Sequence, residues 1–349
     1  MNLPEHIFSG EWDTSHIQGI AIDKERKYLY LSFTTILVKM DITGNVIGTV
    51  AGLTGHLGDL DYNDDDRRVY GSLEYKSQES FYLAIFDGDK IDRVGMDAEN
   101  DNIMTAVYMN EVVSDFICDM NGDGRFDGDI ADTDDHRYGC SGIDGISFGP
   151  VFGEDKTSTP KLMLAYGIYR NVNRDDNDYQ IILQFDVREL DKYKRPLNQI
   201  NPHKSGPEFP EAKYFIYTGN TTFGVQNLEY DYYTGDWFMT VYNGTKDKFP
   251  NYPLYIIDGS KKPYSGEIIG QPEYEEGLLL SLKKDGIYDE KSGVYGWQFK
   301  YGQTGLISLD NEYYYISHNG KSNGKQLSNI YLYRWNRNAD EAPFERVVY

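Results

Sequence analysis

The segment QGIAIDKERKYLYLSFTTILVKMDITGNVIGTVAG, residues 18–52, contains four short apolar runs separated by polar turns. The runs are GIAID, KYLYLSF, ILVKMD and VIGTVAG, and they are rich in the β-branched and aromatic residues that favour strands. Gly, Asn, Asp and Lys occupy the short connections, as is usual in turns between neighbouring strands. The segment therefore predicts a small four-stranded sheet.

The first run of this sheet recurs along the chain. Each copy begins with a small or polar residue and carries apolar residues two and four positions later in nearly every case, so one face of each strand is apolar. The five copies are QGIAID at Gln18, GDLDYN at Gly58, DGISFG at Asp144, QNLEYD at Gln226 and TGLISLD at Thr304. Four strand-like runs follow the start of each copy. Four strands repeated five times predict the blades of a β-propeller.

The predicted architecture is an all-β, five-bladed β-propeller that forms a single domain over residues 1–349. The first two copies begin 40 residues apart and the later ones about 80 apart, so a seven- or eight-bladed propeller is the alternative. We assign the surplus residues to long insertions between strands. The N-terminal run HIFSGEW, residues 6–12, is predicted to pair with the last blade and close the ring.

The net charge of the chain argues against two classes of binding partner. Lys and Arg total 34 against 56 Asp and Glu, which gives a net charge of −22. Such a charge repels nucleic acid and anionic lipid surfaces. The sequence holds no apolar run long enough to span a membrane. The N-terminus lacks the basic and apolar regions of a signal peptide, which indicates either a cytosolic protein or an exported protein without its signal. We favour the exported protein, located outside the cell, in the periplasm or at the cell surface.

The segment CDMNGDGRFDGDIADTDD, residues 118–135, has the spacing of a calcium loop. Oxygen-bearing residues stand at positions 1, 3 and 5, a turn glycine, Gly124, at position 6, a carbonyl donor at 7 and an acid at 9. The loop resembles those of EF-hands and dockerins, and position 12 departs from them because Ile130 replaces the bidentate acid. The predicted calcium ligands are Asp119, Asn121, Asp123, the Arg125 carbonyl and Asp127, with Asp129 or Asp132 completing the site.

The role predicted for this calcium is structural rather than regulatory. The flanking segments EVVSDFIC and HRYGC lack a helical pattern, so we expect an insertion at residues 118–140 placed on a β-hairpin. Cys118 and Cys140 bracket it. They either form a disulfide across the loop or remain as free buried thiols, and two cysteines alone do not decide between these alternatives.

The propeller axis is the candidate position for a second ion site. The residues that open the five inner strands, Gln18, Gly58, Asp144, Gln226 and Thr304, are expected to form a ring around the central channel. The repeat layout resembles that of calcium-activated nucleotidases of the apyrase class, and this resemblance implies an axial ion. Gln, Gly and Thr stand where those enzymes favour carboxylates. The alternative is a ring of ordinary polar residues around a water-filled channel.

The layout is also similar to that of arabinanase-type glycosidases, which implies paired carboxylates on inner strands, one acting as acid and the other as base or nucleophile. Asp59, Asp144 and Glu229 are the predicted catalytic candidates, and Asp61 is a further carboxylate near the ring. Other acid–base candidates are His16 and His56. Such strand-end Asp residues also commonly cap turns, and single His residues commonly pack in cores.

The sequence therefore supports two functional hypotheses. The first is an exported, calcium-stabilised binding module for a glycan or protein ligand, which we favour because no catalytic signature stands out. The alternative is a hydrolase of glycosides or phosphoanhydrides that uses carboxylates at the channel mouth. The tryptophans Trp237, Trp297 and Trp335 either stack on sugar rings or belong to the β core.

Overall fold

The structure is a computed structural model that describes residues 3–337 and 342–349. In chain order the first strands are β1 (His6–Trp12), β2 (Ile17–Ile22), β3 (Tyr28–Phe33), β4 (Ile36–Asp41), β5 (Val46–Ala51), β6 (His56–Asn63), β7 (Arg68–Tyr75), β8 (Ser80–Asp87), β9 (Met96–Asp97), β10 (Met104–Tyr108), β11 (Cys140–Gly149), β12 (Lys161–Ile168) and β13 (Tyr179–Phe185). The chain continues with β14 (Ala212–Tyr217), β15 (Thr222–Asp231), β16 (Asp236–Tyr242), β17 (Leu254–Ile257), β18 (Tyr264–Glu267), β19 (Glu276–Leu279), β20 (Ile287–Asp289), β21 (Val294–Gly296), β22 (Leu306–Ser308), β23 (Tyr313–Ser322), β24 (Lys325–Trp335) and β25 (Phe344–Arg346). The helices are α1 (Asn110–Phe116) and α2 (Val187–Leu190), with single 3₁₀ turns at Lys76–Gln78, Gly88–Lys90, Arg137–Gly139 and Asp191–Tyr193.

These strands form five blades. Blade one is β2–β3–β4–β5 with β9 beside β5, blade two is β6–β7–β8–β10, and blade three is β11–β12–β13–β14 extended by β19 and β18. Blade four has three laddered strands, β15–β16–β17, and its fourth position holds only single bridges, such as Leu254 with Trp297. Blade five is β22–β23–β24, with β1 and β25 both paired to β24. The prediction of a five-bladed β-propeller is confirmed.

The inner strands β2, β6, β11, β15 and β22 contact one another in a closed ring. Four of the predicted opening residues lie in these strands, and Thr304 precedes β22 by two residues. Strands β11 and β15 begin four residues earlier than expected, because register irregularities near Ile143 and Val225 let the ladder continue upstream. The five predicted inner strands therefore surround the axis as expected, although β11 and β15 begin earlier than predicted.

The N-terminal strand closes the ring as predicted. Ile7 pairs with Ile330 and Trp12 pairs with Gln326, so β1 runs antiparallel to β24. The backbone N–H of Ser328 donates to Ser9 Oγ at 2.7 Å, which adds a buried hydrogen bond to the ladder. Closure leaves β24 paired along both edges, and this removes an edge that would otherwise be open to other chains.

The long spacings between repeats come from insertions and not from additional blades. Helix α1 and the acidic loop separate β10 from β11, and a segment with α2 separates β13 from β14. The segment between β17 and β22 holds two hairpins, β18–β19 and β20–β21. Residues 187–193 of the second insertion form α2 and the 3₁₀ turn after it.

One expectation about local structure is wrong. Helix α1 ends at Phe116, two residues before Cys118, whereas we expected no helix in EVVSDFIC. Its apolar residues Val112, Val113 and Phe116 have the spacing that puts them on one helical face, and all three are buried. The acidic loop therefore joins a helix to a 3₁₀ turn and strand β11, rather than lying on a β-hairpin.

The tryptophans divide between core and surface. Trp237 and Trp297 are almost fully buried, and Trp335 is partly buried beside Phe238 and Phe344. Among the described residues, none of the helices has the length and apolar character needed to cross a membrane.

Candidate functional site at the channel mouth

A cavity of about 610 Å³ opens where the inner strands begin. We call it the mouth pocket, and its defining residues are His16, Gln18, Glu74, Asp144, Phe223 and Gln226. Three of the five predicted axial residues, Gln18, Asp144 and Gln226, lie in it. The repeat register thus brings together side chains that are more than 200 residues apart in sequence.

Glu74, on the second strand of blade two, is an acid of the mouth pocket that the sequence did not suggest. Its Oε1 accepts from the Ile143 backbone N–H at 2.8 Å. Its Oε2 lies 3.6 Å from His56 Nδ1 and 3.8 Å from Lys76 Nζ. Burial lowers the pKa of His56 to about 4, so this ring is neutral at pH 7. Lys76 is therefore the charged neighbour of Glu74, and burial still raises the Glu74 pKa.

Asp144 is buried at the base of the same pocket. Its Oδ1 has no hydrogen-bond partner among the described residues. Burial, and then the carboxyls of Glu74 and Asp59, raise the pKa of Asp144 well above its usual value, which favours the protonated carboxyl. A Cβ at Gly58 would overlap Asp144 Oδ1. The ring thus has a glycine at blade two because the carboxyl of blade three occupies that space.

Asp59 lies one residue farther along β6 and is fully buried. Its Oδ2 accepts from the backbone N–H groups of Ile146 and Leu228, both at 3.0 Å, and its Oδ1 accepts from the Asn227 side chain. Asn227 Oδ1 in turn accepts from the Leu306 N–H at 3.2 Å. These bonds join blades two, three, four and five. Asp59 lines neither the mouth pocket nor the cavity at the other end, and its contacts are those of a structural clamp.

The ends of the inner strands line a second cavity of about 670 Å³ that contains Glu229. Glu229 Oε1 accepts from the Ser308 N–H at 2.8 Å. Burial, followed by the nearby Asp61 carboxyl, raises the Glu229 pKa well above its usual value. The predicted catalytic candidates Asp59, Asp144 and Glu229 therefore sit at three levels of the axis and do not share one cavity.

The remaining predicted ring residues make ordinary polar contacts. Gln18 Nε2 lies 3.3 Å from His16 Nε2 and donates to Thr34 Oγ1 at 3.2 Å. Thr304 is buried, with its hydroxyl 3.3 Å from Ser317 Oγ. The mouth pocket is consequently lined by amides, imidazoles and two carboxyls rather than by a symmetric ring of carboxylates.

Asp61, which lines the second cavity, is expected to make the stability of the fold depend on pH. Burial raises its pKa to about 7, against about 3.9 for an unfolded Asp. The folded chain then holds a proton that the unfolded chain releases, so the contribution to stability is full below about pH 4 and is lost as pH rises through about 7. We expect Asp61→Asn to flatten the fall in unfolding free energy between about pH 4 and 7, as measured by urea denaturation. Exposed Asp65→Asn is the control, and parallel slopes for wild type and Asp61→Asn would contradict this assignment.

The acidic loop folds around its own first carboxylate. Asp119 accepts from the N–H groups of Gly122 and Gly124 at 2.7 and 2.8 Å. The side-chain oxygen of Asn121 accepts from the Asp123 N–H at 2.9 Å, and Asp123 accepts from the Arg125 N–H at 2.8 Å. The first half of the loop thus has a compact turn with oxygen donors at the predicted positions.

The second half of the loop is tied to the protein. Asp127 accepts from the Thr133 hydroxyl at 2.5 Å, and Asp129 accepts from the Tyr169 hydroxyl. Asp132 is exposed. Across the described residues, no group of three acidic, His or Cys side chains is arranged to hold a metal ion. Phe126, at position 8 of the loop, packs against Phe116 and anchors the loop to the core.

Both cysteines are free thiols, so the structure contains no disulfide across the loop. Cys140 is fully buried, with Sγ 3.8 Å from the Gly142 carbonyl oxygen. Cys118 Sγ lies 3.5 Å from Met120 Sδ. Burial raises the pKa of both thiols, which keeps them protonated and unreactive.

Phe223, at the rim of the mouth pocket, was not foreseen from the sequence. Its side chain is 51% exposed, and its backbone has a φ of 67°. A bulky residue at positive φ costs of the order of 1–3 kcal/mol and persists only where surrounding contacts hold it. Its neighbour Gly224 was a visible signal of a special backbone, but the sequence does not reveal that Phe223 shares it.

No family model and no curated protein matches the chain. Among solved structures, the chain is similar to the Dos1 propeller, at 13% identity and a TM-score of 0.36, covering 87% of this chain and 53% of that one. It is also similar to the Cps50 (Swd1) β-propeller domain of Myceliophteria_thermophila, at 8% identity and a TM-score of 0.34, covering 93% of this chain and 98% of that one. The chain thus spans about half of the Dos1 propeller chain.

Proposed function

We propose that the protein is a binding module whose glycan or protein ligand enters the mouth pocket. The observation that carries this proposal is the cavity itself, which lies where the inner strands of several blades begin and has a volume of about 610 Å³. Cavities of about 300–1,000 Å³ are typical of ligand sites. Such a space accepts one or two sugar units, or a protruding side chain of a protein partner.

The lining of the pocket supports recognition of an uncharged, hydroxyl-bearing group. Gln18 offers an amide donor and acceptor, and burial favours the protonated form of Asp144. Phe223 contributes an exposed apolar surface at the rim. Strongly anionic ligands are disfavoured, because Glu74 lines the pocket and the whole chain carries a charge of −22.

Filling the pocket from its rim tests the proposal. Ser77 is exposed and lines the mouth pocket, so Ser77→Trp is expected to occupy the cavity without disturbing the core. We expect wild type to bind members of a glycan and peptide array and Ser77→Trp to lose at least about tenfold in affinity. The matched control is Ser265→Trp, on exposed β18, which should bind as wild type does. Equal binding by both variants would contradict the placement of the site.

A hydrolase is the second candidate, and one observation favours it. Glu74 and Asp144 both line the mouth pocket, and both carboxyls have raised pKa values, as general acids require. Glycoside hydrolysis needs such an acid beside a second carboxylate. If wild type releases reducing ends from the array glycans and Asp144→Asn does not, the assignment moves from binding module to hydrolase.

We also propose that calcium stabilises the acidic loop. Asp119, Asn121 and Asp123 supply oxygen donors in a compact turn, which is the chemistry that calcium prefers. Binding at positions 9 and beyond would require Asp127 and Asp129 to exchange their hydroxyl partners for the ion. A site with few committed ligands binds weakly and is suited to the millimolar calcium found outside cells.

Removal of calcium gives the corresponding prediction. Binding to the folded form alone adds about 2.7 kcal/mol to the unfolding free energy at a hundredfold excess over Kd. We expect a chelator to lower the melting temperature of wild type and to have no effect on Asp123→Ala. Exposed Asp13→Ala, far from the loop in sequence, should keep the chelator response. If the chelator leaves the melting temperature of wild type unchanged, the proposal that calcium stabilises the loop is wrong.

A further inference from the structure

The backbone around Phe223 is held firmly although the side chain is exposed. Gln226 Nε2 donates to the Phe223 carbonyl oxygen at 2.9 Å, and Gln226 itself is buried. Gly224 follows at a φ of 73°, and a Cβ there would overlap the Tyr166 carbonyl oxygen of blade three. The chain at residues 223–224 is therefore pressed against the neighbouring blade.

The ladder around Phe223 is irregular on the same side. The pairing of β15 with β16 shifts between Thr222 and Val225 and again between Val225 and Asn227. Such irregularities redirect side chains and are concentrated beside functional sites. In a regular ladder, the alternation of side chains would fix the face of the sheet to which residue 223 points. The irregularities remove this constraint, and the Phe223 ring lies at the rim of the mouth pocket.

We infer that Phe223 is a platform on which a sugar ring stacks, and that Gln226 is the positioning residue that holds it. The inference rests on the proposed function and names the ligand class within it. A pyranose has an apolar face of C–H groups and a rim of hydroxyls. The pocket matches both parts, because Phe223 is apolar and exposed whereas Gln18, His16 and Asp144 are polar.

Calorimetric titration with defined neutral oligosaccharides tests this inference. The probes are cellohexaose, xylohexaose, mannohexaose and hexa-N-acetylchitohexaose, with a tyrosine-containing hexapeptide as the alternative ligand. We expect at least one sugar to bind wild type, Phe223→Ala to weaken it at least about tenfold, and Phe223→Trp to retain it. Phe209→Ala, which removes another exposed ring (68% exposed), should leave affinity unchanged.

The positioning role of Gln226 has a separate readout. If Gln226 acts only through Phe223, Gln226→Leu should weaken sugar binding in wild type but add nothing in a Phe223→Ala background. Additive losses would overturn this part of the inference. Unchanged affinity in Phe223→Ala, or binding of the peptide and of none of the sugars, would overturn the platform while leaving a ligand site at the mouth. Failure of every probe and of the wider array would overturn the proposed function as well.

Discussion

Replacing Asp59 with alanine is expected to destabilise the protein by about 4 kcal/mol or more, enough to prevent accumulation of soluble protein at 37 °C. The side chain accepts from Ile146 N–H, Leu228 N–H and the Asn227 amide, and all of these donors are buried. Each buried donor left without an acceptor costs about 1–3 kcal/mol. The total is a large part of the 5–15 kcal/mol that typically separates folded from unfolded states.

Two controls separate this clamp from a general effect of losing a carboxylate. Asp59→Asn keeps one carbonyl oxygen for the two backbone donors and should recover part of the loss. Asp13→Ala removes an exposed carboxylate and should change the midpoint of urea unfolding little. If Asp59→Ala unfolds within about 0.5 kcal/mol of wild type, the clamp does not join the blades as described.

The second large effect is expected from the closing strand. Ile7 is 2% exposed on β1, whereas the adjacent Phe8 is 42% exposed on the opposite face. Ile7→Asp removes apolar burial and places a carboxylate in the seam between β1 and blade five, and burying a charge without a partner costs several kcal/mol. We expect loss of the closing strand, an open edge on β24 and self-association.

Phe8→Asp is the matched control for strand closure. It puts the same carboxylate one residue away on the face that solvent reaches, so it should leave the melting temperature and the monomeric state nearly unchanged. Size-exclusion chromatography and thermal denaturation report both properties. Equal behaviour of the two variants would show that β1 does not close the ring in the observed register.

The propeller was predictable because its information is local and repeated. Alternation in GIAID and KYLYLSF determines which residues face the neighbouring sheet, and five copies of one pattern specify five blades. Helix α1 was missed because its apolar face, Val112 with Val113 and Phe116, occupies only two turns. Such a short pattern gains its stability from packing rather than from helix propensity.

The site was predictable only in part, for a physical reason. Gln18, Asp144 and Gln226 reach the mouth pocket because they occupy corresponding positions in successive blades. Glu74 lies on a second strand, and its position depends on how two neighbouring blades align. Phe223 depends on a single backbone dihedral and on the irregular ladder around it, neither of which periodicity reveals.

The structure separates the three carboxyls that were predicted as catalytic candidates. Asp59, Asp144 and Glu229 are close in the repeat pattern, yet successive positions along an inner strand lie at different depths of the channel. Asp144 lines the mouth pocket, Asp59 joins the blades, and Glu229 lines the opposite cavity. Only Asp144 is therefore placed to contact a ligand at the mouth.

A crystal structure of the protein soaked with the oligosaccharide that binds most tightly is the most direct test of the central claim. We predict density for at least one sugar ring in the mouth pocket, with its apolar face against Phe223 and a hydroxyl within hydrogen-bonding distance of Gln18 or Asp144. The result that would contradict the account is an ordered oligosaccharide bound elsewhere on the surface while the mouth pocket contains only water.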